Sequence, residues 1–189
     1  MFSFVMPSKL IVITGPSGVG KGTLVERLIK KREDIWLSVS ATTRKPRFNE
    51  ESGKHYYFLT VKQFIELRRE GGLLEWAEFA GNFYGTPKEK VLETLNSGKS
   101  VLLEIELEGA RQIRSNFPEA IHIFLSPPSF EELERRIRGR ATESEDSIER
   151  RLKKARLEVD YKDEFDTTIV NHDIEDSIMQ IEKFLMNYD

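Results

Sequence analysis

A glycine-rich segment near the start of the chain has the clearest capacity for chemistry. Glycines 15, 18 and 20 precede Lys21, and a short β-branched run stands just before them. Glycines let the backbone curl so that successive N–H groups converge, and the N-terminus of a following helix adds partial positive charge. Lys21 would then reach the β- and γ-phosphates of a nucleotide. We therefore predict a nucleotide phosphate site formed by Gly15, Pro16, Ser17, Gly18, Val19, Gly20, Lys21, Gly22 and Thr23.

The residue after Lys21 departs from the strict form of this motif. The strict form has Ser or Thr there as a ligand to magnesium, whereas this chain has Gly22, with Thr23 one position later. This departure puts direct ligation of the metal by the protein in doubt. The alternative for the whole segment is a glycine-rich turn that only lets a strand enter a helix.

Arginines form two further groups. Arg44 and Arg47 lie three residues apart, and planar guanidinium groups bind a doubly charged monophosphate bidentately. Between Arg135 and Arg156, nine basic residues outnumber four acidic ones, a local net charge of +5. Such a stretch is usually a solvated helix with i,i+4 ion pairs. Arg44 and Arg47 could equally be surface residues. Each of the two groups, taken alone, can therefore be interpreted either as a phosphate site or as solvated surface.

The surrounding pattern predicts an α/β core that positions these residues. Predicted core strands lie at 10–13, 101–105, 121–125 and 168–170, and predicted helices at 21–32, 130–139, 144–159 and 174–187. Residues 38–83 are rich in Thr, Tyr and Phe with Gly between them, which favours short antiparallel strands. Inside this region a capping box at Thr60–Gln63 predicts a helix, and a second at Thr86–Glu89 predicts a helix that ends at Gly98.

Several motifs in this chain resemble the signature of guanylate kinases. They are Thr42-Thr43-Arg44-Lys45-Pro46-Arg47 with Glu50, Gly53, Tyr56 and Phe58, then Leu74-Glu75-Trp76-Ala77, Gly81-Asn82-Phe83-Tyr84-Gly85 and Gly139-Arg140-Ala141-Thr142-Glu143. The resemblance implies an α/β fold, a P-loop NTPase core with a five-stranded parallel sheet, at 8–37, 99–128 and 152–187. It also implies a mixed α+β GMP-binding insertion at 38–98 and a short helical lid at 129–151, all within a domain spanning 8–187.

The activity that the resemblance implies is transfer of the γ-phosphoryl group of ATP to GMP, giving ADP and GDP, in purine nucleotide metabolism. ATP is then a co-substrate, and Mg²⁺ is held mainly by the ATP phosphates and water rather than by protein ligands. The implied catalytic residues are Lys21, Arg44, Arg136, Arg140 and Arg151. The implied GMP-binding residues are Ser40, Arg44, Arg47, Tyr56, Glu75, Tyr84, Thr86 and Glu106.

The base site has a chemical logic of its own. Guanine presents an N1–H and an amino group on its pairing edge, and a carboxylate accepts from both while facing the N1 lone pair of adenine unfavourably. The resemblance places Glu75 there, with Ser40 and Thr86 supplying hydroxyls to the base. Such a site rejects the wrong base strongly. Thr86 is also a predicted N-cap, and Ser40 could be a buried strand serine. Glu104 and Glu106 replace the aspartates of many family members; the resemblance puts Glu106 near the nucleoside and Glu104 near the water shell of the metal, although both could simply be solvated at a strand end.

Composition excludes several other classes. The 189 residues contain no cysteine, which excludes disulfides and thiolate chemistry, and the net charge of −3 does not favour general nucleic-acid binding. No apolar run approaches the ~20 residues of a membrane span, and Met1–Met6 is too short for a secretory signal. We expect a cytoplasmic enzyme whose partners are GMP and ATP, with no nucleic acid and no membrane.

Two alternatives remain at this stage. One is a kinase for another nucleoside monophosphate, and Glu75 argues against it. The other is a non-catalytic guanylate-kinase-like module that binds phosphorylated partners, and the retained Lys21 and lid arginines argue against that. The oligomeric state is left open.

Overall fold

The computed structural model describes residues 8–79, 81–139 and 144–188. Its strands are β1 (Leu10–Thr14), β2 (Ile35–Leu37), β3 (Ala41–Thr42), β4 (Tyr57–Phe58), β5 (Leu73–Phe79), β6 (Asn82–Pro87), β7 (Ser100–Glu104), β8 (Ile121–Ser126) and β9 (Thr167–Val170). Its helices are α1 (Lys21–Lys31), α2 (Val61–Arg69), α3 (Lys88–Asn96), α4 (Leu107–Asn116), α5 (Phe130–Arg138), α6 (Glu145–Val159) and α7 (Ile174–Met186).

The larger sheet is the predicted five-stranded parallel sheet, with strand order β2-β7-β1-β8-β9. Every residue of β1 and β8 is buried, as expected for strands of a parallel sheet covered on both faces. The four core strands predicted from apolar runs are confirmed within one residue or two. The short strand β2 and the helix α4 were not predicted.

The smaller sheet has strand order β4-β3-β6-β5. Strand β6 pairs antiparallel with both β3 and β5, but β3 and β4 run parallel. The prediction of antiparallel strands was therefore wrong for this one pair. The physical reason is that a 14-residue loop carries the chain from the end of β3 back to the side where β3 begins, so β4 runs in the same direction. Strand propensity alone cannot reveal such a connection.

Side-chain caps mark the start of three of the described helices, α2, α5 and α7. Thr60 and Gln63 form the predicted capping box of α2, and the Ser129 hydroxyl accepts from the Glu132 N–H at the start of α5. The second predicted capping box is wrong. Pro87 is the N-cap of α3, and the Thr86 hydroxyl instead donates to a buried carboxylate, that of Glu75.

The described residues form two compact units. The first comprises Asp34–Ile121 with the described residues up to Val12, and it contains the whole smaller sheet. The second comprises Ile13–Glu33 with the described residues from His122 onward, and it contains α1, α5, α6 and α7. The glycine-rich loop and the described arginines of the predicted lid thus belong to the second unit, and the residues predicted to bind GMP belong to the first.

Candidate functional site

The glycine-rich loop of the second unit joins β1 to α1. Gly20 is the N-cap of α1 in the left-handed region, with φ of 102°, and Gly18 also has positive φ, at 89°. A Cβ on Gly18 would lie 2.5 Å from Cγ1 of Ile137, so that position needs glycine for space as well as for conformation. The first turn of α1 carries no acidic side chain. The first turn thus adds no negative charge of its own to the N–H groups at the start of α1, which suits an anion.

The side chains of Asn171 and Arg136 both donate to one carbonyl group of the loop, that of Val19. The Val19 carbonyl oxygen accepts from Nδ2 of Asn171 at 2.8 Å and from Nη1 of Arg136 at 3.1 Å. Arg136 also donates to the Asn171 carbonyl at 3.2 Å and pairs with Glu132 at 2.8 Å. The buried Asn171 is fixed in turn by the Ser177 hydroxyl at 3.1 Å. This partly buried network supports the loop at the Val19 carbonyl.

The side chains of Lys21 and Arg151 both donate hydrogen bonds to the loop. Lys21 Nζ donates to the Gly15 carbonyl oxygen, which lays the side chain back along the loop. Arg151 donates from Nε and Nη2 to the Ser17 hydroxyl at 3.1 and 2.8 Å. Of the predicted catalytic residues, Lys21, Arg136 and Arg151 therefore contact the loop, whereas Arg140 lies outside the described residues.

A cavity of about 370 Å³ opens beside the loop, within the size range of small-molecule sites. Gly18, Gly20 and Thr23 contribute to its lining together with Arg136 and the segment Asn171–Ile174. It combines backbone polar groups, one guanidinium and the N-terminus of α7. None of the residues from 171 to 174 was predicted, although a polar residue directly after the last core strand is a signal that could have found Asn171.

In the first unit, Arg44 lies in a cluster with a carboxylate and aromatic rings. Its guanidinium forms a bidentate pair with Glu50, at 2.9 and 3.0 Å, and both side chains are 17% exposed. This pairing raises the pKa of Arg44 and holds the pKa of Glu50 at about 2. The Arg44 guanidinium carbon lies 5.4 Å from the Tyr56 ring centre. Glu50 therefore fixes the plane of the guanidinium.

Two tyrosines complete this cluster. The rings of Tyr56 and Tyr84 are 6.1 Å apart in an edge-to-face arrangement. Burial raises the pKa of Tyr56, so its phenol stays protonated and can donate a hydrogen bond to an anion. Thr42 and Thr43 attach the segment that leads into Arg44 to β6. Both hydroxyls bond to backbone groups of Phe83, the neighbour of Tyr84. The structure thus brings together Arg44, Tyr56 and Tyr84, three of the residues predicted to bind GMP. Their binding of the GMP phosphate stays a prediction.

Glu75 is the other chemical centre of the first unit. The residue is 5% exposed, and its Oε1 accepts from the Thr86 hydroxyl at 2.6 Å. Burial raises the pKa of this carboxyl to about 7, an effect that the bonds to Thr86 oppose. Glu75 lies where the β5–β6 register shifts between Leu73 and Trp76, and such bulges redirect side chains beside functional sites. A carboxylate this buried requires further hydrogen-bond donors when it is ionised.

The remaining predicted residues lie around these centres. The Ser40 carbonyl accepts from the Tyr57 N–H at 2.8 Å, Arg47 is exposed and its N–H donates to Glu50 at 2.6 Å, and Glu106 is the N-cap of α4. Glu104 ends β7 and is exposed. The roles of Ser40, Arg47, Glu104 and Glu106 stay predictions.

Comparison with known proteins identifies the family. The family model described as guanylate kinase matches residues 7–188. The chain belongs to the guanylate kinase family. A guanylate kinase from Synechococcus sp. (strain CC9311) is 62% identical over 172 residues, 91% of this chain and 90% of that protein. One from Prochlorococcus marinus (strain MIT 9313) is 56% identical over 185 residues, 98% of each chain.

A solved structure gives the same result. The crystal structure of guanylate kinase from Anaplasma phagocytophilum matches with a TM-score of 0.74 and 36% identity, covering 95% of this chain and 85% of that one. The predicted guanylate kinase family and the predicted α/β fold are therefore confirmed. Among the helices of the described ranges, none has the length and apolar character needed to cross a membrane.

Proposed function

We propose that this guanylate kinase transfers the γ-phosphoryl group of ATP to GMP, with the donor held in the second unit and the acceptor in the first. Family membership supports ATP and GMP as the substrates and phosphotransfer as the reaction. The observation that carries the acceptor assignment is the buried Glu75–Thr86 pair. A carboxylate in that position has two acceptor oxygens for the two donors of the guanine edge, and it repels the acceptor at N1 of adenine.

On the donor side, the loop Gly15–Thr23 binds the ATP phosphates. The N–H groups at the start of α1 and the ammonium group of Lys21 neutralise their charge. Arg151, already at the Ser17 hydroxyl, would turn toward the transferring group and stabilise its charge. The cavity between the loop and Asn171–Ile174 takes the base of ATP, with the flat guanidinium of Arg136 as a stacking surface. This role replaces the catalytic one that the resemblance implied for Arg136, because its guanidinium is held on Glu132 and the Val19 carbonyl.

On the acceptor side, Arg44 and Arg47 bind the GMP phosphate with the phenols of Tyr56 and Tyr84. Glu50 contributes by holding the Arg44 guanidinium in a fixed plane, which reduces the entropy lost when the phosphate binds. The GMP phosphate is anionic near neutral pH, so its oxygen attacks without a protein base. The proposed boundaries follow the sequence prediction: a core at 8–37, 99–128 and 152–187, an insertion at 38–98 and a lid at 129–151.

Magnesium enters this proposal as part of the ATP complex. The described ranges contain no group of three or more His, Asp or Glu side chains placed to hold a metal ion, and Gly22 stands where the strict motif has a hydroxyl. Thr23, which lines the cavity, is the nearest hydroxyl along the loop. This donor set fits a cation held mainly by phosphate oxygens and water. Such a cation would neutralise charge on the β- and γ-phosphates.

We also propose that the enzyme works in the cytoplasm.

The test is a panel of acceptors. The purified chain is mixed with ATP, Mg²⁺ and GMP, AMP, CMP or UMP in turn, and ADP formation is followed. Turnover with GMP alone is the expected result. Equal turnover with another monophosphate would refute the acceptor assignment, and a folded protein that binds GMP without turning over any acceptor would favour a binding module instead.

A further inference from the structure

Helix α4 lies along the free edge of the strand that carries Glu75. Strand β5 is the last strand of the smaller sheet, and β6 is its only partner strand in that order. Side chains of α4 occupy the position of a further strand. Gln112 accepts from the Trp76 N–H at 3.1 Å and donates to the Trp76 carbonyl at 2.8 Å, and Asn116 donates to the Leu74 carbonyl at 3.2 Å. Both neighbours of Glu75 are therefore bonded to α4.

The same helix also limits the space around the carboxylate. Gly109 is buried, and a Cβ at that position would lie 2.5 Å from Oε2 and 3.1 Å from Cδ of Glu75. The Glu75 carboxylate thus has one oxygen on the Thr86 hydroxyl and the other against the bare backbone of α4. Any side chain larger than that of glycine would displace it.

These contacts come from one face of the helix. Gly109, Gln112 and Asn116 follow the spacing i, i+3, i+7, which places them in a single stripe on an α-helix. Asn116 and Gln112 hold the backbone on either side of Glu75, and Gly109 sets the depth of its side chain. None of the three residues belongs to the predicted base site, and α4 itself was not predicted.

We propose that Gly109 and Gln112 are positioning residues that fix the Glu75 carboxylate for recognition of the guanine amino group, and so determine base specificity. The inference rests on Glu75 as the base-reading residue. A methyl group at position 109 requires Oε2 to move by about 1 Å to reach ordinary van der Waals distance. Misplacement of that size can cost about 100-fold in activity.

The test compares GMP with IMP, which has the same ribose, phosphate and N1–H but lacks the amino group. The readout is the ratio of kcat/KM for GMP to kcat/KM for IMP, with ATP saturating. Gly109→Ala is expected to lower this ratio by about 10- to 100-fold through a higher KM for GMP, while the KM for ATP changes less than about twofold. Gln112→Met, which keeps side-chain length but loses both bonds to Trp76, is expected to lower the ratio about 3- to 10-fold.

Matched controls lie on the same helix. Glu108 and Ser115 are exposed, and Glu108→Ala and Ser115→Ala should leave the GMP-to-IMP ratio within about twofold of the wild type. Thermal unfolding of each variant verifies that it is folded. A general loss of structure would lower kcat/KM for both acceptors together and leave the ratio unchanged, so the ratio separates positioning from instability.

The Glu75→Gln variant separates failure of this inference from failure of the base assignment. If Glu75→Gln abolishes discrimination and Gly109→Ala and Gln112→Met leave it intact, Gly109 and Gln112 do not position the carboxylate, and the proposal is wrong while the base site stands. If Glu75→Gln itself leaves the ratio unchanged, the base assignment and this inference both fail. Support requires that Gly109→Ala lower the ratio alone but add less than about twofold in the Glu75→Gln background, since both changes then act through one group.

Discussion

We expect the buried carboxyl of Glu75 to make GMP affinity depend on pH near neutrality. Its pKa of about 7 is raised by burial, and only the ionised form has acceptor capacity for both donors of guanine. The ionised fraction falls from about nine-tenths at pH 8 to about one-tenth at pH 6. We therefore expect the KM for GMP to rise about tenfold over that interval from Glu75 alone.

The assay is a series of GMP saturation curves between pH 5.5 and 8.5 with ATP saturating. The phosphate of GMP also titrates, at a pKa of about 6 for a phosphate monoester, and it contributes equally in a Glu75→Gln variant. The difference between the two pH profiles therefore isolates Glu75. Parallel profiles, with no excess rise in the wild type, would refute the assignment of an ionised carboxylate to the base site.

The stability of the free enzyme should change in the opposite direction. A carboxyl whose pKa is raised by folding stabilises the fold below its unfolded pKa of about 4.5, and this stabilisation is lost as pH rises toward about 7. A shift of this size corresponds to about 3 kcal/mol. Glu75→Gln should thus be more stable than the wild type at pH 8 but weaker in GMP use, by about 1.5–3 kcal/mol for the lost charge-assisted hydrogen bond. Urea unfolding at pH 5 and pH 8 measures the first effect and GMP kinetics the second.

Three further perturbations test the remaining assignments. Lys21→Met should lower kcat by at least about 100-fold with GMP binding intact by calorimetry, since the lysine stabilises charge on the transferred group; full activity would disprove that role. Arg151→Lys should lower kcat about 1,000-fold, whereas Ser17→Ala, which removes only the resting partner of Arg151, should lower it less than about tenfold; equal losses would contradict a catalytic Arg151. The bidentate pair with Arg44 keeps the pKa of Glu50 at about 2. The stabilising contribution of this pair is therefore present above pH 4.5 and lost as pH falls toward 2. As pH is lowered from 5 to 2, the melting temperature should fall more steeply in the wild type than in Glu50→Gln. Identical slopes would count against a stabilising Arg44–Glu50 pair.

The features that the sequence predicts well are those encoded by neighbouring residues. The four core strands, the start of α1 at Lys21 and the capping box at Thr60 all depend on local patterns, and the structure contains each of them. Thr86 illustrates the limit of this approach. Its position before Pro87 predicts a cap, but a buried carboxylate 11 residues away is the stronger partner for its hydroxyl, because an unsatisfied buried charge costs more than a lost cap.

The candidate site shows the same division. The loop at 15–23 and the spaced set of Arg44, Tyr56 and Tyr84 come from recognisable motifs, and the structure brings the members of each set together. Asn171 and Gly109 were missed, because their importance arises from contacts with Val19 and Glu75 that are distant in sequence. No local pattern marks a glycine whose value is the space it leaves for another side chain.

The bond between Asn171 and the Val19 carbonyl has a consequence for how the protein is made. The two residues are 152 positions apart, so the glycine-rich loop emerges from the ribosome long before the side chain that supports it. At about 5–20 residues per second, synthesis of the intervening chain takes roughly 8 to 30 seconds. During that time the nascent chain carries its glycine-rich loop without this support. This support of the loop therefore awaits the synthesis of Asn171, and chains that terminate before residue 171 cannot form the bond.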